Sequence, residues 1–246
     1  MNTMDLVDAT LWIQRLLGAG LVIQSAELLK TRGIYKKGGA LEGNDVTPWL
    51  ALRIGLASTL IVSPLEPLSW AAAIVHAVLL GNSIWLTMRS RGPVCGGSDS
   101  MFFQVQLGLL IASCGFLEPV LIKFGLGWIV AQSVLSYLLA GVSKLRTAGW
   151  WNGRALQGLL TSDGPYRVFT PARKLASSRP LCSVLGGGIM LFELLLPAVL
   201  ILPTEGKLVL LAAGCAFHIA NALVLGLNRF VWAWVATYPA ILAMSR

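Results

Sequence analysis

Eight stretches of this chain are long and apolar enough to be read as membrane spans, and no water-soluble arrangement can hide so many. They cover roughly 10–29, 49–64, 68–87, 101–117, 119–143, 182–203, 207–226 and 229–244. A helix needs about 20 apolar residues to cross hydrocarbon, with tolerance for short or tilted spans. The fourth and fifth runs are parted only by Glu118-Pro119, and the seventh and eighth only by Leu227-Asn228, so both junctions predict tight hairpins. Composition agrees. The chain is 56% hydrophobic and 12% charged, with a mean hydropathy of +0.73, whereas soluble domains carry about 25% charged residues. Its 26 Gly and 9 Trp suit close helix contacts and interface anchoring. The expected fold class is all-α: a polytopic membrane helical bundle with about eight transmembrane helices and one long interfacial loop, with residues 1–246 forming a single domain. Disorder, collagen and coiled coil are excluded. The first run follows Asp5 and Asp8 rather than a basic segment, so no cleavable signal peptide is expected.

Charge then orients the bundle. Lys and Arg number 19 against 11 Asp and Glu, a formal charge of +8. The basic residues sit in alternate connections: Lys30, Arg32, Lys36 and Lys37, then Arg89 and Arg91, then the long segment 144–181, and finally Arg229. The intervening turns are short and nearly neutral. With an even number of spans every basic loop falls on one side, and the positive-inside rule makes that side cytoplasmic in a multi-pass cell-membrane protein. No basic stretch interleaved with aromatics appears, so the lipid bilayer is the expected partner and nucleic acid is not. The segment 144–181 carries Trp150-Trp151, Tyr166 and Phe169 among its charges. It is expected to lie along the interface and cap a cavity.

Ionisable residues within the spans are the candidates for chemistry, because a charge in hydrocarbon costs several kcal/mol. They are Arg15, Glu27, Arg53, His76, Glu193 and His218, with Lys144 at a span end. Arg15, Glu27 and Arg53 lie near enough to span ends to reach an interface by snorkelling. Glu193 and His218 lie deeper, and His218, Arg15 and Arg53 are prospective partners for Glu193. His76 is expected to make one helix–helix hydrogen bond. No metal is predicted, since there is no HxxxH, HExxH or Cys/His cluster. Of the four cysteines, Cys114 and Cys215 lie in apolar runs and are expected in the core, and none forms a CxxC pair. Gly186-Gly187-Gly188 is expected to serve helix packing rather than phosphate binding.

Two motifs carry a resemblance. The first is Tyr137-Leu138-Leu139-Ala140-Gly141-Val142-Ser143-Lys144-Leu145, followed by Trp150-Trp151-Asn152-Gly153. The second is Phe217-His218-Ile219-Ala220-Asn221, followed by Leu225-Gly226, Phe230 and Trp232. In this order, with Phe169-Thr170-Pro171 and Glu193 between them, they resemble the HTTM domain, the membrane domain shared by vitamin K-dependent gamma-glutamyl carboxylase and many bacterial proteins. Residues 130–245 carry most of the likeness. The chain looks like a short bacterial-type member. In the first half, Gln14-Arg15-Leu16-Leu17-Gly18 is similar to the start of the family's first helix, and Gly96-Gly97-Ser98-Asp99 to its polar turn before a helix.

The resemblance implies a carboxylase-like (lyase) chemistry. In the carboxylase, the lysine of this motif deprotonates vitamin K hydroquinone. Oxygen converts that quinol to a strong base, which removes a proton from a glutamate side chain so that carbon dioxide can add. Lys144 holds the matching position, and a lysine partly withdrawn from water favours its neutral, proton-accepting form. By the same resemblance His218 is catalytic, and Glu193, Asn221, Arg15 and Asp99 line the site. Arg146 and Arg154 would attract an acidic peptide or small acid, with a lipophilic quinol as cofactor. The carboxylase's large extramembrane domain is not expected here, since the last apolar run reaches almost to Arg246. Two other readings stand beside the enzyme. One is a non-catalytic accessory subunit for the maturation or export of a secreted peptide or toxin, or a subunit of a larger membrane complex. The other is a transporter, which no inverted repeat supports.

Overall fold

A computed structural model describes residues 5–36, 45–62, 65–89, 96–162 and 169–244. Lys37, Arg91, Cys95, Tyr166 and Arg167 lie outside the described residues, as do the side chains of Arg32, Lys36 and Arg89. Among the described residues all regular structure is helical. In chain order the helices are α1 (Leu6–Lys36), α2 (Thr47–Val62), α3 (Trp70–Arg89), α4 (Gly97–Ser113), α5 (Val120–Leu145), α6 (Ala148–Trp151), α7 (Arg154–Thr161), α8 (Arg179–Leu195), α9 (Thr204–Leu225), α10 (Asn228–Val235) and α11 (Tyr238–Met244).

Among the described residues helix fills most of each apolar run, which makes the chain a helical membrane protein. Among the described residues, six stretches are long and apolar enough to cross a bilayer: Leu6–Lys30, Trp70–Met88, Gly97–Phe116, Val120–Leu145, Arg179–Leu200 and Thr204–Leu225. The second run forms only the 16-residue α2. The eighth is split into α10 and α11. Pro239 explains the split: inside a continuous helix its ring would strike the carbonyl four residues back, whereas at the second position of α11 its missing N–H costs nothing. Large apolar side chains cover the outside, including Val62, Val184, Ile201 and Val209. Such a surface has lipid as its natural solvent.

The helices form two compact units. One comprises Met1–Val130 and Trp232–Met244, the other Ala131–Val231. In the first unit the core is built on Ile13, Leu17, Leu21, Leu50, Leu79 and Leu109, all fully buried. Glycine sets the helix spacing, as small residues do between membrane helices. A Cβ on Gly18 of α1 would stand 2.7 Å from the Ala57 carbonyl oxygen of α2, and one on Gly108 of α4 would stand 2.8 Å from the Gly125 oxygen of α5. Trp49 and Trp85 stack with ring centroids 4.4 Å apart.

Arg53 departs from the expectation of snorkelling. It is 2% exposed and its Nη2 donates to Ser83 Oγ at 2.8 Å. Ser83 in turn donates to Gln106 Oε1 at 2.9 Å. An interior polar partner on α3 removes the reason to reach for water. The cysteines also depart from expectation: Cys114 and Cys215 are half-buried, and among the described cysteines Cys182 is the fully buried one.

In the second unit the long loop folds. α7 buries Leu156 and Leu160 against Ala172, Ala176 and Cys182, with Trp150, Ile189 and Val224 around them. Residues 170–177 form a 3₁₀ helix, and Gln157 Nε2 donates to the Ala176 carbonyl at 2.7 Å. Of the glycine triplet, Gly186 alone has a close neighbour, since a Cβ there would lie 3.1 Å from the Trp150 oxygen; one on Gly187 or Gly188 would meet open space.

Gly108→Ala is expected to destabilise the protein by about 1–3 kcal/mol, because the wall it meets includes backbone. Gly55→Ala, where a Cβ meets nothing, should leave stability unchanged or raise it by up to about 1 kcal/mol. Thermal unfolding in detergent micelles compares the two. Equal midpoints would refute glycine-limited packing of α4 on α5.

Candidate functional site

The site grows from one face of α5. Tyr137, Gly141 and Lys144 are spaced four and three residues apart, which stacks them along one stripe. Gly141 is the narrow point: a Cβ there would lie 2.9 Å from Leu194 Cγ and 3.2 Å from Glu193 Cβ. The bare glycine therefore lets α8 close onto α5, and Glu193 arrives one turn below Lys144. Lys144 Nζ donates to both carboxylate oxygens at 2.7 Å. The side chains are 19% and 5% exposed, so the pair lies just inside the surface of the unit.

The Trp150-Trp151-Asn152-Gly153 motif builds a cover over this pair. Its ring centroid lying 5.1 Å from Lys144 Nζ, Trp150 presents an aromatic face to the cation, an attraction that strengthens away from water. Trp151 Nε1 donates to the Leu145 carbonyl at 2.8 Å, capping the end of α5. Asn152 Oδ1 accepts the backbone N–H of Arg154 at 3.1 Å, the two-residue contact of an Asx turn, and Gly153 between them is the N-cap of α7. Gly153 has φ +76°, and a Cβ there would come within 2.6 Å of the Arg179 carbonyl. Both the left-handed backbone and the close approach call for glycine. Ser183 Oγ donates to the Trp151 carbonyl, and Arg179 Nε donates to that of Asn152 at 2.9 Å. The cover is thereby tied to the start of α8.

Deeper in the unit lies a second polar pair. His218 of α9 is 2% exposed, and its Nε2 is hydrogen-bonded to the Tyr137 hydroxyl at 2.5 Å. Aromatic rings surround it. Phe192 meets Tyr137 edge-on with centroids 6.0 Å apart, Phe217 lies 5.1 Å from the His218 ring, and Phe230 lies 6.4 Å from it. Tyr137 and Lys144 are seven residues apart, a rise of about 10 Å. The two pairs thus form an upper and a lower tier on α5.

Among the sequence candidates, Lys144 and Glu193 are brought into direct contact, and Lys144 takes the place considered for His218, Arg15 or Arg53. Asn221 follows His218 by one turn and is half-buried; its backbone carbonyl accepts from Leu227 at 3.3 Å where α9 ends. Arg146 and Arg154 are exposed, one just past α5 and the other opening α7. Arg15 and Asp99 belong to the first unit. Arg15 lies against the Trp12 ring at 5.5 Å, and Asp99 caps α4, accepting from the Gly96 N–H at 3.0 Å and from Gln24. The sequence reading missed Tyr137 and Trp150 as partners. The available signal was the seven-residue spacing of Tyr137 from Lys144.

Comparison with known proteins places the second half of the chain. The family model described as HTTM domain matches residues 120–245. No curated protein and no solved structure matches the chain. The match includes the Tyr137–Lys144 stripe, the tryptophan cover, Glu193 and the His218 helix, and it spans just over half of the 246 residues. This chain, with its helical membrane architecture, belongs to the HTTM domain family.

Proposed function

We propose that this protein is an integral membrane acid–base enzyme of the carboxylase-associated kind, in which Lys144 takes a proton from the hydroxyl of a flat lipophilic ligand of the quinol class. The observation that carries the reading is the grip of both Glu193 oxygens on the Lys144 amine. A proton on that nitrogen can pass to a carboxylate oxygen with no change in the net charge of the pair. The N–H bond breaks, an O–H bond forms, and a neutral amine remains. Its lone pair would then accept a proton from a hydroxyl group held against it, which returns the nitrogen to an ammonium. The geometry suits general-base catalysis, where the acceptor must sit within hydrogen-bond reach of its donor. A flat ring also fits the residues present, since Phe192, Phe217, Phe230 and Tyr137 gather aromatic faces around His218. In the lower tier, His218 and Tyr137 can hold a polar edge of such a ring. The quinol supplies, once deprotonated, the reactivity toward oxygen that the family resemblance implies. Exposed Arg146 and Arg154 suit attraction of an acidic peptide or small acid.

Lys144→Arg separates this enzyme from an accessory subunit. Arginine keeps the charge and can still pair with Glu193, but it does not act as a base. In proteoliposomes supplied with a reduced naphthoquinone under air, the wild-type protein is expected to consume the quinol faster than protein-free vesicles. Lys144→Arg should lose about 100-fold or more of that rate while eluting as a folded species. Full activity in Lys144→Arg would remove the base and leave the accessory role.

The pair also makes a stability prediction. Glu193 is buried, so Lys144→Met strands its carboxylate and should cost roughly 3 kcal/mol. Adding Glu193→Leu should recover most of that loss. Unfolding midpoints of the single and double variants test it, and additive losses would show that the two side chains are not coupled.

A further inference from the structure

We infer that the first unit holds a second, separate polar site, formed by Gln14, His76 and Ser113, which binds a single internal water and keeps His76 in proton exchange with the aqueous phase. Nothing in the quinol reading uses these residues, and the inference stands whether or not that reading does.

The placement follows from helix register. Ser83 of α3 donates to Gln106 of α4 at 2.9 Å, which fixes these two antiparallel helices against each other. Seven residues back along α3 is His76, and seven residues on along α4 is Ser113. Two full turns on each helix return to nearly the same face, so the imidazole and the hydroxyl fall at the same level on facing stripes. From α1, the Gln14 amide nitrogen donates to His76 Nε2 at 3.2 Å. With Nε2 accepting, the ring proton of the neutral imidazole lies on Nδ1.

That Nδ1 has no hydrogen-bond partner among the described residues, and neither has Ser113 Oγ. Both residues are completely buried. Two orphaned polar atoms that helix register puts at one level of a membrane bundle point to a guest oxygen, which can accept from Nδ1–H and bond with the hydroxyl. Buried polar atoms without protein partners are commonly met by ordered water, and one water serves about three such bonds. The surroundings choose water over a larger guest. Ile13, Leu17, Ala72, Leu79, Leu109 and Ala112, the residues next along the same helices, are all fully buried. Access is short, since His76 is six residues from the start of α3 and Ser113 is the last residue of α4. Six residues of helix rise about 9 Å.

The deciding signal is read on the unaltered chain, and two variants serve for assignment and for the Ser113 anchor. The chain has two histidines, so [15N]histidine labelling of the full chain in phosphatidylcholine–phosphatidylglycerol vesicles gives two sets of ring signals, which His218→Gln assigns. In water-edited solid-state NMR, the His76 Nδ1–H signal is expected to build up as fast as exposed backbone amides. Build-up as slow as that of core leucine amides overturns the site. Ser113→Val, which removes one anchor but keeps Gln14, should slow the His76 build-up by about threefold. An unchanged rate would overturn the role of Ser113.

Discussion

The ion pair between Lys144 and Glu193 is the contact around which the second unit is organised. A carboxylate within a span is tolerable only with a partner, and here the partner comes from a different helix, through a gap that exists because Gly141 has no side chain. That dependence explains why the Ala-Gly spacing precedes the lysine by a single turn. The glycine sets the distance between α5 and α8, the distance sets the pair, and the tryptophan turn closes over it. Each element is local in sequence, yet the geometry belongs to three separate segments.

Much of the fold was legible before any coordinates, because hydrocarbon imposes one strong rule. Apolar runs became largely helical; the junction read at Glu118-Pro119 falls between helices, and the one read at Leu227-Asn228 opens two residues earlier, after Leu225. Other features were not legible, for identifiable reasons. The break before Tyr238 depends on Pro239, a single residue that outweighs an otherwise continuous apolar pattern. Arg53 was expected at an interface because lone long side chains snorkel. Its burial depends on Ser83 and Gln106, whose register against α2 no single-helix argument supplies. The partner of Glu193 was open among several cations for the same reason. Trp150 reads as an interface anchor in sequence, and only its closeness to the Lys144 amine gives it a second role.

The two units treat polarity differently. In the second, polar side chains meet in direct pairs, Lys144 with Glu193 and Tyr137 with His218, against aromatic rings. In the first, they recur at heptad spacing: Asp99 and Gln106 on α4 meet Gln24 and Ser83 on its neighbours, and Ser113 and His76 stand one heptad further along α4 and one back along α3. Leucines fill the layers between. A repeated polar layer specifies register as a buried Asn does in a coiled coil, and it does so in a solvent where sliding by a turn would leave hydrogen-bonding groups unmatched.

The separation of Lys144 from Glu193 by 49 positions along the chain has a consequence for biogenesis. During synthesis α5 emerges long before α8, and its lysine, at the very end of the helix, can wait at the membrane surface. α8 then enters the bilayer bearing a carboxyl group that must either take up a proton or meet a cation on a helix already in place. Lateral assembly of the two helices is thus the step that makes α8 comfortable in lipid, and it orders the maturation of the chain from its middle toward its C-terminus.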